Sequence, residues 1–164
     1  MAHGIQLPVL QDTPMTLEAT PRKEKVFVLT GAVAIEEWVT LDVTAPPDGL
    51  GWNIEQSPAT NDLATVVGVA LEAGVAGGAI RVCVQGACVA RVNAAIAAAG
   101  VALRSDAVAG QAIEAANTDL NIIGVTLESE PGTGLEGTPA DPDPPGPGLP
   151  TGVNRARVYV KTGA

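Results

Sequence analysis

Aromatic residues and histidine are scarce in this chain of 164 residues. Aromatic side chains make up 2% of the residues, so a hydrophobic core has to be built from aliphatic side chains. His3 is the only histidine, which removes Ser-His-Asp and Cys-His nucleophilic sites in any ordinary geometry. Two cysteines and this one distant histidine are too few for a structural zinc site. The sequence therefore predicts no catalytic residues, no cofactor and no metal.

Long apolar runs and an excess of positive charge are also missing. No apolar stretch reaches the ~18 residues that indicate a membrane span. The N-terminal residues lack the basic-then-apolar pattern of a secretory signal, so we expect synthesis in a cytosol. The formal net charge of −9 argues against binding to nucleic acid or to an anionic membrane. It favours a partner with basic patches, or simple solubility.

The chain nevertheless has the composition of a folded, turn-rich protein. Hydrophobic residues make up 46% of it, and it contains 19 glycines and 13 prolines. Its length predicts a single domain, and alternating β-branched segments predict an all-β fold. Residues 49–62 have no clear pattern, with Trp52 available to plug a gap, and residues 94–99 predict a short helix or an irregular crossing. Strands are predicted at 25–30, 38–44, 66–72, 79–84, 87–92, 101–103, 111–115, 122–128 and 156–161.

One short phrase occurs twice, at residues 66–72 (VVGVALE) and 122–128 (IIGVTLE), with a constant offset of 56 residues. An alternating strand follows each copy. Because successive strand side chains alternate between faces, Val67 and Val69 are expected on one face, opposite Gly68. A glycine inside a strand is tolerated where another backbone passes close by or the sheet bends sharply. The repeat therefore predicts a small barrel or sandwich with two symmetric corners.

The acids that end the two phrases, Glu72 and Glu128, have two interpretations. They are either solvated strand ends or a symmetric carboxylate pair that holds a metal in a small trimeric enzyme, such as a nucleotide hydrolase. Solvated strand ends are the favoured interpretation, since nothing else in the sequence supplies catalytic chemistry.

The two cysteines lie on either side of a potential tight turn. If Gln85 and Gly86 form the centre of a β-hairpin, Cys83 and Cys88 face each other across it and form a thiol pair. Such a pair could become a disulfide under oxidising conditions. The alternative is two small buried hydrophobic residues, which is the more frequent role of reduced cysteines.

Two segments lie outside the repeat. Residues 1–24 are predicted to form an extended arm, and residues 25–164 one β domain that carries a Pro/Gly-rich surface loop at 131–152. Apolar and basic side chains along the arm are hypothesised to bind a partner. They are Ile5, Leu7, Val9, Leu10, Met15, Leu17, Arg22 and Lys23.

The chain resembles the head-decoration (capsid cement) proteins of tailed bacteriophages over residues 26–130 and the last strand. The resemblance rests on the two phrases, on Val82-Cys83-Val84-Gln85-Gly86, on the Ala-rich piece ending at Gly100, and on the closing Val158-Tyr159-Val160. It also includes Gly31-Ala32-Val33 and the segment 38–42. The loop at 131–152 and the segment 45–62 depart from the family pattern.

The resemblance implies a non-enzymatic virion protein. Proteins of this family sit on the outside of the head, often as trimers, and clamp neighbouring major capsid subunits against internal DNA pressure. The expected partners are therefore the major capsid protein and further copies of the chain, with no nucleic acid and no membrane. An alternative hypothesis for the function is a β-barrel binding or fibre/spike module that presents the 131–152 loop and the Trp52 region to a host or glycan ligand.

Overall fold

A computed structural model describes residues 22–44, 52–60, 63–93, 96, 98–128 and 154–162. Within these residues all regular structure is β, which confirms the predicted all-β class, and there is no helix that could cross a membrane. The strands are β1 (Lys23–Leu29), β2 (Trp38–Leu41), β3 (Asn53–Gln56), β4 (Val66–Ala70), β5 (Ala79–Arg91), β6 (Ala102–Ser105), β7 (Ala112–Glu114), β8 (Gly124–Thr126) and β9 (Arg155–Lys161).

The first unit of the fold is a closed five-stranded barrel. Its strands pair in the order β1-β3-β2-β4-β5, and β5 pairs back onto β1 to close the ring. The β1–β3 pair is parallel and the others are antiparallel. The interior is filled by buried aliphatic residues and one phenylalanine: Phe27, Leu29, Val33, Val39, Ile54, Val67, Ala70, Ile80, Val82 and Val84.

The second unit repeats this connectivity in the same chain order. Its strands pair in the order β5-β9-β8-β6-β7, and a parallel bridge from Val92 to Ala112 joins β7 back to the end of β5. The C-terminal half of β5 thus takes the place of β1, and β6, β7, β8 and β9 take the places of β2, β3, β4 and β5. The strand β5 is shared, as the last strand of the first unit and the first strand of the second.

Backbone hydrogen bonds match between the two units residue by residue. The Leu71 N–H donates to the Arg81 carbonyl at 3.0 Å, and the Leu127 N–H donates to the Arg157 carbonyl at 2.8 Å. Similarly, the Leu29 N–H donates to the Gly78 carbonyl in the first unit, and the Val92 N–H donates to the Asn154 carbonyl in the second. The interior positions match as well. Those of the second unit are Ala90, Val92, Leu103, Ala112, Ile123, Thr126, Ala156, Val158 and Val160, all of them buried.

The two phrase glycines occupy equivalent places, as the repeat predicts. A Cβ on Gly68 would lie 2.1 Å from the Cys83 carbonyl oxygen, and one on Gly124 would lie 2.9 Å from the Tyr159 carbonyl oxygen. A neighbouring strand passes too close for any side chain in both units. The predicted reason for these glycines, close approach of another backbone, is confirmed.

The predicted hairpin at Gln85 and Gly86 is wrong, because β5 runs unbroken from Ala79 to Arg91. Its first half pairs with β1 and β4, and its second half pairs with β9, so both halves have partners without reversing direction. Gly86 has a φ of 107° inside the strand, two residues beyond Val84, which is the residue left unpaired where the β1–β5 register shifts. Its missing side chain also leaves room for the backbone of Arg22, whose Cα would lie 2.8 Å from a Cβ.

Four smaller predictions also need correction. Val67 lies in the core of the first unit and Val69 faces the second unit, because a bulge opposite β2 breaks the alternation. The strand β3 was missed because four residues with one large aliphatic side chain give no periodicity. The strand β1 begins at Lys23, two residues inside the range predicted for the arm, and the second phrase is in strand conformation only over 124–126.

Candidate interaction surfaces

The two units meet where residues 36–38 of the first unit enter the edge of the second. The Arg91 N–H donates to the Glu36 carbonyl at 2.9 Å, and the Trp38 N–H donates to the Gly110 carbonyl at 3.0 Å. The Trp38 indole N–H also donates to the Arg91 carbonyl at 3.1 Å. In the first unit the equivalent place is closed, because the Val28 N–H bonds directly to the Trp52 carbonyl. Residues 36–38 therefore act as a wedge between β5 and β7.

Two ion pairs at the wedge are largely withdrawn from solvent. The Glu37 carboxylate accepts a hydrogen bond from Arg91 Nη1 at 2.8 Å, and Glu36 lies 3.3 Å from Arg155 Nη1. All four side chains are at most 12% exposed. Buried charges are tolerated when they are paired in this way, and removing one partner leaves the other uncompensated.

The wedge contains a left-handed residue that is not glycine. Glu36 has a φ of 68°, and the equivalent residue of the second unit is Gly100, with a φ of 86°. Both N–H groups bond the equivalent carbonyls, those of Ala70 and Thr126. The conformation therefore belongs to the repeated unit. Glu36 adopts this left-handed conformation although it has a side chain, and that side chain forms the ion pair with Arg155.

Trp38 is fully buried and packs into the core cluster of the second unit. That core has smaller residues than the first: Phe27, Ile54 and Ile80 are replaced by Ala90, Ala112 and Ala156. A Cβ on Gly124 would lie 3.3 Å from the far edge of the Trp38 ring. We therefore attribute part of the filling of the second core to this tryptophan of the first unit.

An apolar patch lies exposed on the first unit. Val26 and Val28 of β1 are 56% and 40% exposed, and Trp52, whose carbonyl bonds to Val28, is 66% exposed. Exposed Ala79 lies opposite Val28 on β5. We call these four residues the Trp52 patch. Trp52 thus does not plug a gap, as the sequence suggested, and it stands among other exposed apolar side chains.

The hypothesised partner-binding residues of the arm fall mostly outside the described residues. The residues outside the described part of the chain are Ile5, Leu7, Val9, Leu10, Met15 and Leu17. The predicted loop at 131–152 also lies outside it. Arg22 is exposed and forms an ion pair with Glu24 at 2.5 Å. Lys23 is exposed at the start of β1, opposite Gln85. Their role in binding a partner stays a prediction.

The two cysteines come together by a different route from the predicted hairpin. Both are free thiols on β5, with Cys83 buried and Cys88 half-buried. A hydrogen bond from Cys88 is the main cause that lowers the pKa of Cys83, while the same contact and burial raise the pKa of Cys88. The register shift near Gly86 brings them to the same side of one strand. The two thiols thus interact within one continuous strand and not across a hairpin.

Glu72 and Glu128 each bind their own hairpin. Glu72 accepts the Arg81 N–H at 2.7 Å and lies 3.6 Å from its guanidinium, while Glu128 accepts the Arg157 N–H at 2.7 Å and lies 3.7 Å from its guanidinium. The residues described by the structure include no group of three potential metal ligands. These contacts give both acids a structural role in the repeat.

Sequence reasoning missed the wedge. A signal was present, since two adjacent acids directly precede a tryptophan at 36–38, but their partners Arg91 and Arg155 are far away along the chain. No local spacing connects them. Equivalence between the units also could not be detected beyond the two phrases and the strand that follows each of them, because the remaining equivalent strands differ in residue type and in side-chain size.

No protein-family model and no curated protein matches the chain. Among solved structures, the chain is similar to the head fibre gp8.5 N base of bacteriophage phi29, with a TM-score of 0.53 and 12% sequence identity. The match covers 87% of this chain and 96% of that one. At this identity the likeness is one of fold.

Proposed function

We propose that this chain is a structural protein of a bacteriophage head. The observation that carries the proposal is the likeness of nearly the whole fold to a protein named as the base of a phage head fibre. The resemblance of the repeat phrases to head-decoration proteins supports the same class. The finer proposal is a decoration or cement protein that binds the outer head surface and stabilises contacts between major capsid proteins.

The proposed partners are the major capsid protein and further copies of this chain, assembled as a homotrimer. A net charge of −9 suits an outer surface that faces basic patches of a capsid lattice. The arm at 1–22 would reach a neighbouring subunit, with its apolar residues as anchors. Many copies on one particle turn a weak single contact into strong retention through avidity. The proposed role is non-enzymatic, with synthesis in the host cytoplasm and location in the virion.

The direct test is co-sedimentation of the purified chain with phage heads that lack it. Deletion of residues 2–20 is expected to abolish co-sedimentation, whereas deletion of residues 132–150 serves as a control of similar length and is expected to leave it intact. Binding by neither the full chain nor the loop deletion would refute the head-associated role. Undiminished binding by the arm deletion would refute only the role of the arm.

A second candidate is a fibre or spike module that contacts a host or glycan. The exposed indole of Trp52 favours it, because aromatic faces stack well on sugar rings, and the structural neighbour is a fibre component. Binding of the labelled chain to host cells, with no binding to heads, would favour this candidate. Loss of cell binding in Trp52→Ala would assign the site.

A further inference from the structure

The outward face through which the first unit contacts the second is made of apolar residues. Trp38, Val66, Val69 and Cys83 point away from the interior of the first barrel, yet all four are buried, because they pack in the core cluster of the second unit. The strand equivalences identify the matching residues of the second unit as Ala102, Ile122, Val125 and Tyr159. These are also apolar, but they are only half-buried. The second unit thus presents the same face, and no third unit among the described residues covers it.

The Trp52 patch lies at the position in the first unit that corresponds to the docking site of the wedge in the second unit. In the second unit, the wedge docks against Arg91, Gly110 and Arg155. The register of the strands places Val28, Trp52 and Ala79 at the equivalent positions of the first unit. All three are exposed, and none is charged.

The residues on the two sides change together. Within the chain, Glu37 of the wedge pairs with Arg91 of the second unit. The residue equivalent to Glu37 is Val101, and the residue equivalent to Arg91 is Val28 of the Trp52 patch. Glu36 pairs with Arg155, and the equivalents are Gly100 and Ala79. Large Trp38 lies against small Gly110, and the equivalents are small Ala102 and large Trp52.

Charged partners are therefore replaced by apolar partners, and a large–small contact by a small–large one. A surface that faced only solvent would have no reason to change in step with a second surface on another part of the molecule. Complementary changes of this kind are what two faces in contact require.

We infer that the Trp52 patch is an interface for a second copy of this chain, and that it is covered by residues 100–102 and the adjoining Ile122, Val125 and Tyr159 of that copy. The contact is head-to-tail, and such contacts close into a ring when the rotation between subunits permits. The inference deepens the self-association in the proposed function and rests on it. The docking is by side chains, since the backbone slot used by the wedge is already closed by the Val28–Trp52 hydrogen bond.

The test is sedimentation velocity on the full chain and on variants that transfer the internal ion pair to this interface. Val28→Arg and Val101→Glu, made singly, each place an unpaired charge in an apolar contact and are expected to weaken association by about tenfold or more. The double variant reproduces the Glu37–Arg91 pair between copies and is expected to recover association. Trp52→Ala removes the central anchor and is expected to weaken association by about thirtyfold.

Val75→Arg is the matched control, because Val75 is 69% exposed in the turn between β4 and β5 and has no part in the proposed contact. Circular dichroism and thermal unfolding confirm that each variant is folded. Association unchanged by both Val28→Arg and Trp52→Ala would overturn the inference. So would a monomeric wild-type chain in which deletion of residues 2–20 raises the accessibility of Trp52 to a fluorescence quencher, since the arm would then cover the patch.

Co-sedimentation with heads is measured on the same variants. Self-association without head binding would refute the proposed head role and leave the interface standing. Head binding by a chain that stays monomeric on the head would refute the interface alone.

Discussion

At the scale of single residues, the fold depends on positions where a side chain has no room. Gly68 and Gly124 each face the backbone of the neighbouring strand, and the same atoms of the repeat are involved in both units. The left-handed backbone conformation of Glu36 is likewise imposed by the repeated unit and not by the preference of a glutamate, since Gly100 has the same conformation at the equivalent position. The residue type is constrained more tightly at the glycines, because a backbone atom cannot move aside as a side chain can.

Gly68→Ala and Gly124→Ala are expected to destabilise the fold by about 3 kcal/mol or more, because the added Cβ meets a carbonyl of the adjacent strand. Gly31→Ala is the control, since a Cβ there meets nothing within 4 Å, and its effect should stay within about 0.5 kcal/mol. Chemical denaturation measures all three. Equal stability of Gly68→Ala and Gly31→Ala would show that the backbone of β5 does not pass this close to Gly68.

The thiol pair permits a prediction about acidity. Because the hydrogen bond from Cys88 is the largest cause of the lowered pKa of Cys83, Cys88→Ala is expected to raise that pKa toward the ordinary range. The pH dependence of iodoacetamide alkylation of Cys83 measures the change, with the unfolded Cys88→Ala chain as reference. An unaltered or lower pKa in the variant would mean that the two sulfur atoms do not interact.

At the scale of elements, the wedge explains why two similar units are not interchangeable. It carries the charges and the tryptophan, while the equivalent segment of the second unit, residues 100–102, carries neither. The second core contains alanines where the first has larger side chains, and Trp38 packs into it from the first unit. The first unit thus contributes a large side chain to the core of the second unit, and the two units form one packed structure.

Glu37→Val and Arg91→Val are each expected to cost about 3–5 kcal/mol of unfolding free energy, because each leaves one buried charge without its partner. The double variant has the residue types of the equivalent positions, Val101 and Val28, and should come within about 1.5 kcal/mol of the original chain. Chemical denaturation of the three variants gives the coupling. Glu24→Ala, which breaks surface pairs with Arg22 and Arg81, is the control and should cost less than about 1 kcal/mol. Additive losses in the double variant would argue against a coupled pair.

At the scale of the whole molecule, the two units cannot separate without breaking a strand. Since β5 pairs with β1 and β4 in its first half and with β9 in its second, any opening of one unit removes partners from the other. The core cluster of the second unit also includes four residues of the first. The molecule is therefore expected to unfold as one cooperative body.

Native-state hydrogen exchange tests this cooperativity. The slowest amides of β1 and β4 in the first unit and of β8 and β9 in the second are expected to exchange with the same opening free energy, that of global unfolding. Trp38→Ala is expected to lower protection in both units together, with Val75→Ala, at a position that is 69% exposed, as a control that leaves it unchanged. A lower opening free energy confined to the second unit would mean that the units unfold separately.

The sequence by itself determined the β class, the aliphatic core, most strand positions, and the repeat phrases with the reason for their glycines. These features are local, because strand periodicity, turn residues and a glycine between β-branched neighbours act over a few residues. The exposed position of Trp52 and the missed strand β3 show the limit of that reasoning, since both lie where the pattern is weakest.

Only the tertiary structure decided that β5 continues through Gln85 and Gly86, that both units share it, and that residues 36–38 join them. A strand continues or turns according to the partners that lie beside each half, and those partners, β1 and β9, stand at opposite ends of the chain. The ion pairs and the Trp52 patch depend on the same distant contacts. The residues that form them lie far apart along the chain and meet only in the folded molecule.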